Sequence, residues 1–155
     1  MSPVIDCHVH GSTGLAMRAF REHLRETGTL EDGPHHLWAS PAFEDPKRQE
    51  LIGPLRLNMS GCINACGHHH SGNIGILGVD KKGAELYQIS LGGSPKDDAA
   101  VGTIVGPGFR AEAVPQAIDT IIDTYLAKRS DGETFLDTWR RVGAQPFKEA
   151  LYGAA

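Results

Sequence analysis

Cysteine is scarce in this chain: there are three, an odd number, in two separated places, Cys7 and the pair Cys62 and Cys66. That excludes a disulfide framework and fits a reducing compartment. A cationic excess is also missing. Lys plus Arg is 15 against 19 for Asp plus Glu, a formal charge of -4, and no basic stripe is visible, so nucleic acid is not an expected partner. No apolar run approaches the roughly 20 residues that a membrane-spanning helix needs, so no membrane association is expected. Met1 to His10 lacks the basic start and apolar stretch of a secretory signal, which makes the cytoplasm the expected location. No internal repeat or low-complexity tract is evident. Aromatic residues are sparse at 6%, yet apolar residues reach 40% and charged residues 22%, enough for a soluble globular domain with a real core in 155 residues.

What is concentrated is ligand chemistry. The run Cys62-Ile63-Asn64-Ala65-Cys66-Gly67-His68-His69-His70 packs two thiols and three imidazoles into nine residues. Two thiols so spaced can face one inorganic centre only if the backbone turns sharply between them, and Gly61, Asn64 and Gly67 are residue types that tolerate such turns. The pattern points to a metal or cluster site. The same residues also read as two buried, unpaired cysteines beside a solvated histidine run. A further alternative is a small zinc-binding domain in which Cys62, Cys66 and one or two of His68, His69 and His70 close a tetrahedral site.

The two halves of the chain differ. Residues 1–50 hold Cys7, His8, His10, His23, His35 and His36 and end in the turn-rich stretch from Ala39 to Pro46, which predicts a boundary near Glu50. Within them Pro3 to Cys7 reads as a short strand and Leu15 to Thr27 as a helix stopped by Gly28. In residues 51–155 the pattern is regular. Leu55, Leu57 and Met59 alternate with Arg56 and Asn58, the signature of a half-buried strand that leads into the cysteine turn. Asn73 to Val79 and Ala84 to Leu91, joined by Asp80-Lys81-Lys82-Gly83, predict a β-hairpin. Gly92-Gly93-Ser94-Pro95 ends that strand, and Val101 to Val105 predicts a further extended piece closed by Gly106-Pro107-Gly108. From Glu112 the period becomes helical, with Val114, Ala117, Ile118, Ile121, Ile122, Tyr125 and Leu126 on one face and Pro115 in the first turn. A shorter helix is expected from about Glu133 to Val142, with Phe135, Leu136, Trp139 and Val142 turned inward. The fold class expected is α/β in the α+β sense, a small mixed or antiparallel sheet covered by carboxy-terminal helices.

From about Leu55 to Gly153 the chain resembles the carboxy-terminal part of the haem-containing subunit of sulfite and nitrite reductases. The resemblance is carried by Ser60-Gly61-Cys62-Ile63-Asn64-Ala65-Cys66-Gly67-His68-His69-His70, by Ile74-Gly75-Ile76-Leu77-Gly78, by Tyr87-Gln88-Ile89-Ser90-Leu91-Gly92-Gly93, and by the tail with Trp139-Arg140-Arg141-Val142-Gly143 and Pro146 to Gly153. Many relatives carry proline where this chain has Ile63. The resemblance implies a coupled [4Fe-4S] cluster and sirohaem and the six-electron reduction of sulfite to sulfide or nitrite to ammonia. Electrons would come from a ferredoxin or a flavoprotein reductase. It further implies that Cys62 and Cys66 match the second cysteine pair of the cluster, with the Cys66 sulfur also on the sirohaem iron. Asn64 matches the asparagine between them. Gly92 and Gly93 match a loop that lies close to the tetrapyrrole, although a plain strand-ending turn is an equal reading of the pair.

A cubane needs about four thiolates, and this chain offers two in the right place. The first pair, a C-x5-C segment in relatives, and the basic half that binds the anion are absent from the sequence. The chain is therefore expected to be a truncated or fused fragment, inactive alone. Val4-Ile5-Asp6-Cys7-His8-Val9-His10 resembles the first strand of metal-dependent amidohydrolases, in which an H-x-H pair, here His8 and His10, binds a divalent metal. Alternate strand residues face one side, so both imidazoles could reach one ion. This makes residues 1–50 an expected unrelated or divergent leader, and a hydrolase fragment the third functional alternative.

Overall fold

A parallel strand, a hairpin and a short fourth strand line up in the order β1-β2-β3-β4 in the computed structural model, which describes residues 46–61 and 63–153. The strands are β1 (Leu57–Ser60), β2 (Ile74–Lys81), β3 (Ala84–Leu91) and β4 (Thr103–Ile104). The helices are α1 (Pro46–Ile52), α2 (Val114–Lys128), α3 (Phe135–Val142) and α4 (Gln145–Tyr152). β1 runs parallel to β2, whereas β2–β3 and β3–β4 are antiparallel. The α+β expectation holds, with a mixed sheet.

The hairpin forms where the turn chemistry places it. Lys82 and Gly83 both have positive φ, 55° and 80°, and the Gly83 N–H donates to the Asp80 carboxylate at 3.0 Å. Two left-handed residues in a two-residue loop match the right-handed twist of the flanking strands. Parallel pairing of β1 with β2 instead needs a crossover of roughly a dozen residues. Residues 61–73 are that crossover, and they carry the cysteine-histidine run.

One face of the sheet and the helices share a core. Leu57, Met59, Ile74, Ile76, Tyr87, Ile89 and Leu91 cluster with Val114, Ala117, Ile118, Ile121, Ile122 and Tyr125. This is period 2 meeting period 3.6, as the sequence predicts. Burying each such aliphatic side chain contributes about 1.5–3 kcal/mol. Tyr125, Phe135 and Phe147 continue the core as an aromatic chain, with ring centroids 5.3 and 5.9 Å apart at successive contacts, and Trp139 lies 5.5 Å from Phe147.

α2 starts at Val114 after a 3-10 turn, Ala111–Ala113, with Pro115 in its first turn. α3 starts at Phe135 and not at Glu133, because Thr134 is its N-cap in a capping box with Asp137. Glu133 is drawn aside: its carboxylate accepts from Arg141 Nε at 2.6 Å and from the Ser130 N–H at 2.9 Å. α4, with Pro146 in its first turn, buries Phe147 and is a helix that the sequence pattern does not predict. α1 crosses position 50, where the boundary is expected. It is tied to α2 by Arg48 to Asp123 at 2.6 Å and by Tyr125 Oη donating to the Ile52 carbonyl at 3.0 Å.

Two strand expectations need correction. β1 begins at Leu57 and is buried on both faces, not half-buried: Asn58 and Ser60 are 5% and 2% exposed because the crossover covers them. The extended piece from Val101 to Val105 contributes only two sheet residues, and Val101 and Ile104 are exposed. The strand expected at Pro3 to Cys7, the helix expected at Leu15 to Thr27, and His8 and His10 lie outside the described residues.

Candidate functional site

The crossover folds back onto the sheet and is held there from below. Ser60, at the end of β1, accepts the Gly67 N–H at 3.1 Å and sits 3.2 Å from His69 Nδ1 through the same Oγ. Asn58 Nδ2 donates to the His68 carbonyl at 3.0 Å. The turn closes on itself through His68 N–H to the Ala65 carbonyl (2.8 Å) and Ser71 N–H to the His68 carbonyl (3.0 Å). On its far side the His70 carbonyl accepts the Gly102 N–H at 2.8 Å.

Gly75 is the seat of the turn. A Cβ there would lie 2.1 Å from the His69 carbonyl oxygen and 2.6 Å from Ser90 Oγ, so only a bare backbone lets residues 69–72 lie down on β2. The left-handed residues of the crossover are Ala65, φ 55°, and His68, φ 49°. The turns expected at Asn64 and Gly67 are present, and the left-handed backbone falls on the residue that follows each of them, Ala65 and His68. Left-handed backbone costs a non-glycine residue roughly 1–2 kcal/mol. Here the serine and asparagine bonds from β1 hold it in place.

Cys66 is a free, exposed thiol next to the buried Gly67, and its Sγ–H is 3.9 Å from the Asn64 carbonyl, a loose contact. Asn64 and Ile63 are exposed on the same turn, and Cys62 lies outside the described residues. His68 and His70 are exposed with ring centroids 5.8 Å apart, while His69 is half-buried against Ser60. Burial, and secondarily the neighbouring His70, holds the His69 imidazole below its ordinary pKa. Because the Gly67 amide already donates to Ser60 Oγ, the serine's own hydrogen is available to an unprotonated Nδ1, which suits a neutral ring. Among the described residues no three His, Cys, Asp or Glu side chains converge to hold a metal ion.

Gly92 and Gly93 follow β3, and Gly93 packs against the His70 to Gly72 backbone of the crossover. Leu91 is in register with Ile74 and Leu57, at the start of β1, whereas Gly67 is bonded to Ser60 at its end. Their lack of side chains is required by the chain's own packing. A Cβ on Gly92, φ +87°, would lie 2.0 Å from Trp139 Nε1, and one on Gly93 would lie 2.4 Å from the His70 carbonyl oxygen. Ser60, Asn58 and Gly75 are the site residues that sequence reasoning passed over. A glycine inside a strand was the available signal, since it marks close approach of another backbone.

The family model described as "Nitrite and sulphite reductase 4Fe-4S domain" matches residues 39–154, and the chain belongs to that family. It is similar to the assimilatory ferredoxin-dependent nitrite reductase of Haloferax mediterranei, 29% identical over 54% of this chain and 15% of the relative. It is also similar to the sulfite reductase [NADPH] hemoprotein beta-component of Vibrio cholerae, 29% identical over 63% of this chain and 16% of the relative. The chain thus spans only about a sixth of the length of these curated relatives. The solved structure of the Mycobacterium tuberculosis NirA protein shares the fold, with a TM-score of 0.61 and 20% identity over 92% of this chain and 26% of that one. No helix among the described residues is long and apolar enough to cross a membrane.

The donor set does not fit a complete cluster. A cubane takes about four thiolates, and the sequence holds three cysteines, of which only Cys66 is described on the turn.

Proposed function

We propose that this domain furnishes one side of a [4Fe-4S]–sirohaem centre in an enzyme that reduces sulfite to sulfide or nitrite to ammonia. Cys62 and Cys66 would supply two thiolates, with Cys66 the one that would also serve the sirohaem iron, and the remaining thiolates would come from outside these 155 residues. The observation that supports this reading is the solvent-facing Cys66 thiol on a turn whose backbone is pinned to β1 by Ser60 and Asn58. A cluster ligand must be presented rigidly and to the outside if its other ligands belong elsewhere. Electrons would arrive from a ferredoxin or a flavoprotein; the relatives' names print ferredoxin in two cases and NADPH in a third. Alone, in the cytoplasm, the chain is inactive toward either anion.

The test is a chimera. Residues 55–153 replace the matching segment of a complete sirohaem reductase, and iron, acid-labile sulfide and the visible spectrum are measured. A full complement of cluster and sirohaem is expected, lost on Cys66→Ser, while the isolated chain binds neither group. A folded chimera without iron would refute the proposal.

A further inference from the structure

At the end of the sheet where β1 begins, the α1–β1 connection, the β3–β4 loop and the start of α3 line a half-open cavity of about 390 Å3. Small-molecule sites run to about 300–1,000 Å3. Its walls are largely apolar, with Leu55 and Leu136 among them, and its charged groups differ in how far they are committed.

The two carboxylates are engaged inside the protein. Asp98 accepts from Ser94 Oγ at 2.6 Å and pairs with Arg140 at 2.6 Å, and those two contacts, the serine first, hold its carboxyl below the usual range. Asp137 closes the capping box with Thr134. The two cations Arg56 and Lys96, which line the same cavity, make no side-chain hydrogen bond or ion pair among the described residues. The uncommitted charge is therefore positive, and it stands beside an apolar wall.

The wall is also fixed. Arg56 is pinned through its backbone, its N–H to Asn73 Oδ1 at 2.9 Å and its carbonyl to the Ile74 N–H at 3.1 Å, and Asn73 Nδ2 is bonded in turn to the Gly93 carbonyl at 2.9 Å. The Asp98–Arg140 pair fastens the Lys96 loop to α3. Two cations held on separate segments over apolar surface form a receptor for an anionic head on a greasy body.

We propose that this cavity binds a small organic anion, a carboxylate or phosphate on a compact apolar body, with its head between Arg56 and Lys96 and its body against Leu55 and Leu136. The test titrates the isotope-labelled full chain with phenyl phosphate, benzoate, inorganic phosphate and benzyl alcohol, and follows backbone amides by NMR. Phenyl phosphate or benzoate is expected to shift the amides of Arg56, Asn73, Lys96 and Leu136 with a dissociation constant on the order of 1 mM or tighter. Which of the two binds better identifies the head group. Inorganic phosphate and benzyl alcohol should each bind about tenfold more weakly, and the double variant R56Q/K96Q should weaken the organic anion about tenfold. K96Q alone, on an exposed loop, should weaken it about threefold and covers the case in which the double variant fails to fold. Absence of shifts at these amides, or shifts untouched by K96Q and R56Q/K96Q, would overturn the proposal. So would benzyl alcohol or inorganic phosphate binding as tightly as the organic anions.

Discussion

Replacing Ser60 by alanine tests whether β1 holds the cysteine turn. Ser60 is 2% exposed and its hydroxyl serves two partners, the Gly67 amide at 3.1 Å and His69 Nδ1 at 3.2 Å. Removing it leaves a buried N–H without an acceptor, a loss of about 1–3 kcal/mol, with the imidazole contact adding several tenths. A total near 2 kcal/mol corresponds to a melting-temperature drop of roughly 8 °C for a domain of this size. The local readout is sharper. Hydrogen exchange at the Gly67 amide should accelerate by about 30-fold, because each 1.4 kcal/mol is a factor of ten. Ser71→Ala is the control: its hydroxyl donates to the same His68 carbonyl that Asn58 also serves, but from an exposed position, so it should cost under about 0.5 kcal/mol. If Ser60→Ala proves as mild as Ser71→Ala, and Gly67 exchanges no faster, the turn is held by something other than β1.

Gly75→Ala should destabilise by about 3 kcal/mol or more by denaturant titration, since its methyl would overlap the His69 carbonyl backbone, while Gly83→Ala, with open space but φ +80°, should cost only about 1 kcal/mol. Glu133 is held at a pKa of about 2 by the hydrogen bond from Arg141, then by the Ser130 amide, so its contribution is present above the unfolded carboxyl range and lost as pH falls toward 2; Glu133→Gln should flatten that acid limb of the stability curve. His69 has a lowered pKa, so folding resists its protonation: stability should be level above about pH 6.5 and fall as the pH drops below it, a slope that His69→Gln removes in chemical denaturation at pH 5 to 8.

Much of the fold was legible because its periodicities are clean. The Asp80 to Gly83 turn between two apolar runs identified the hairpin, and the spacing from Val114 to Tyr125 identified α2 and its buried face. The ligand-bearing run was legible from composition, and the family from that run together with the hairpin and tail segments. What escaped depended on a third dimension. Asn58 and Ser60 alternate with apolar residues as solvent-facing positions do, and only the returning crossover shows that they face buried backbone. The left-handed residues fell on Ala65 and His68 because the bonds to β1, and not intrinsic preference, decide the turn's shape. α4 is too short to show a period, and its burial rests on Phe147 alone. Arg56 and Lys96 are distant in sequence, and only the fold shows that both line one cavity.

The segment that presents the thiol is also the roof over Asn58, Ser60 and Gly75. A descendant that lost its cysteines could not shed residues 64–72 without wetting the underside of β1 and β2. The loop would outlive its chemistry as architecture, and a retained turn with altered thiols would then testify to ancestry, with no bearing on whether iron is still carried.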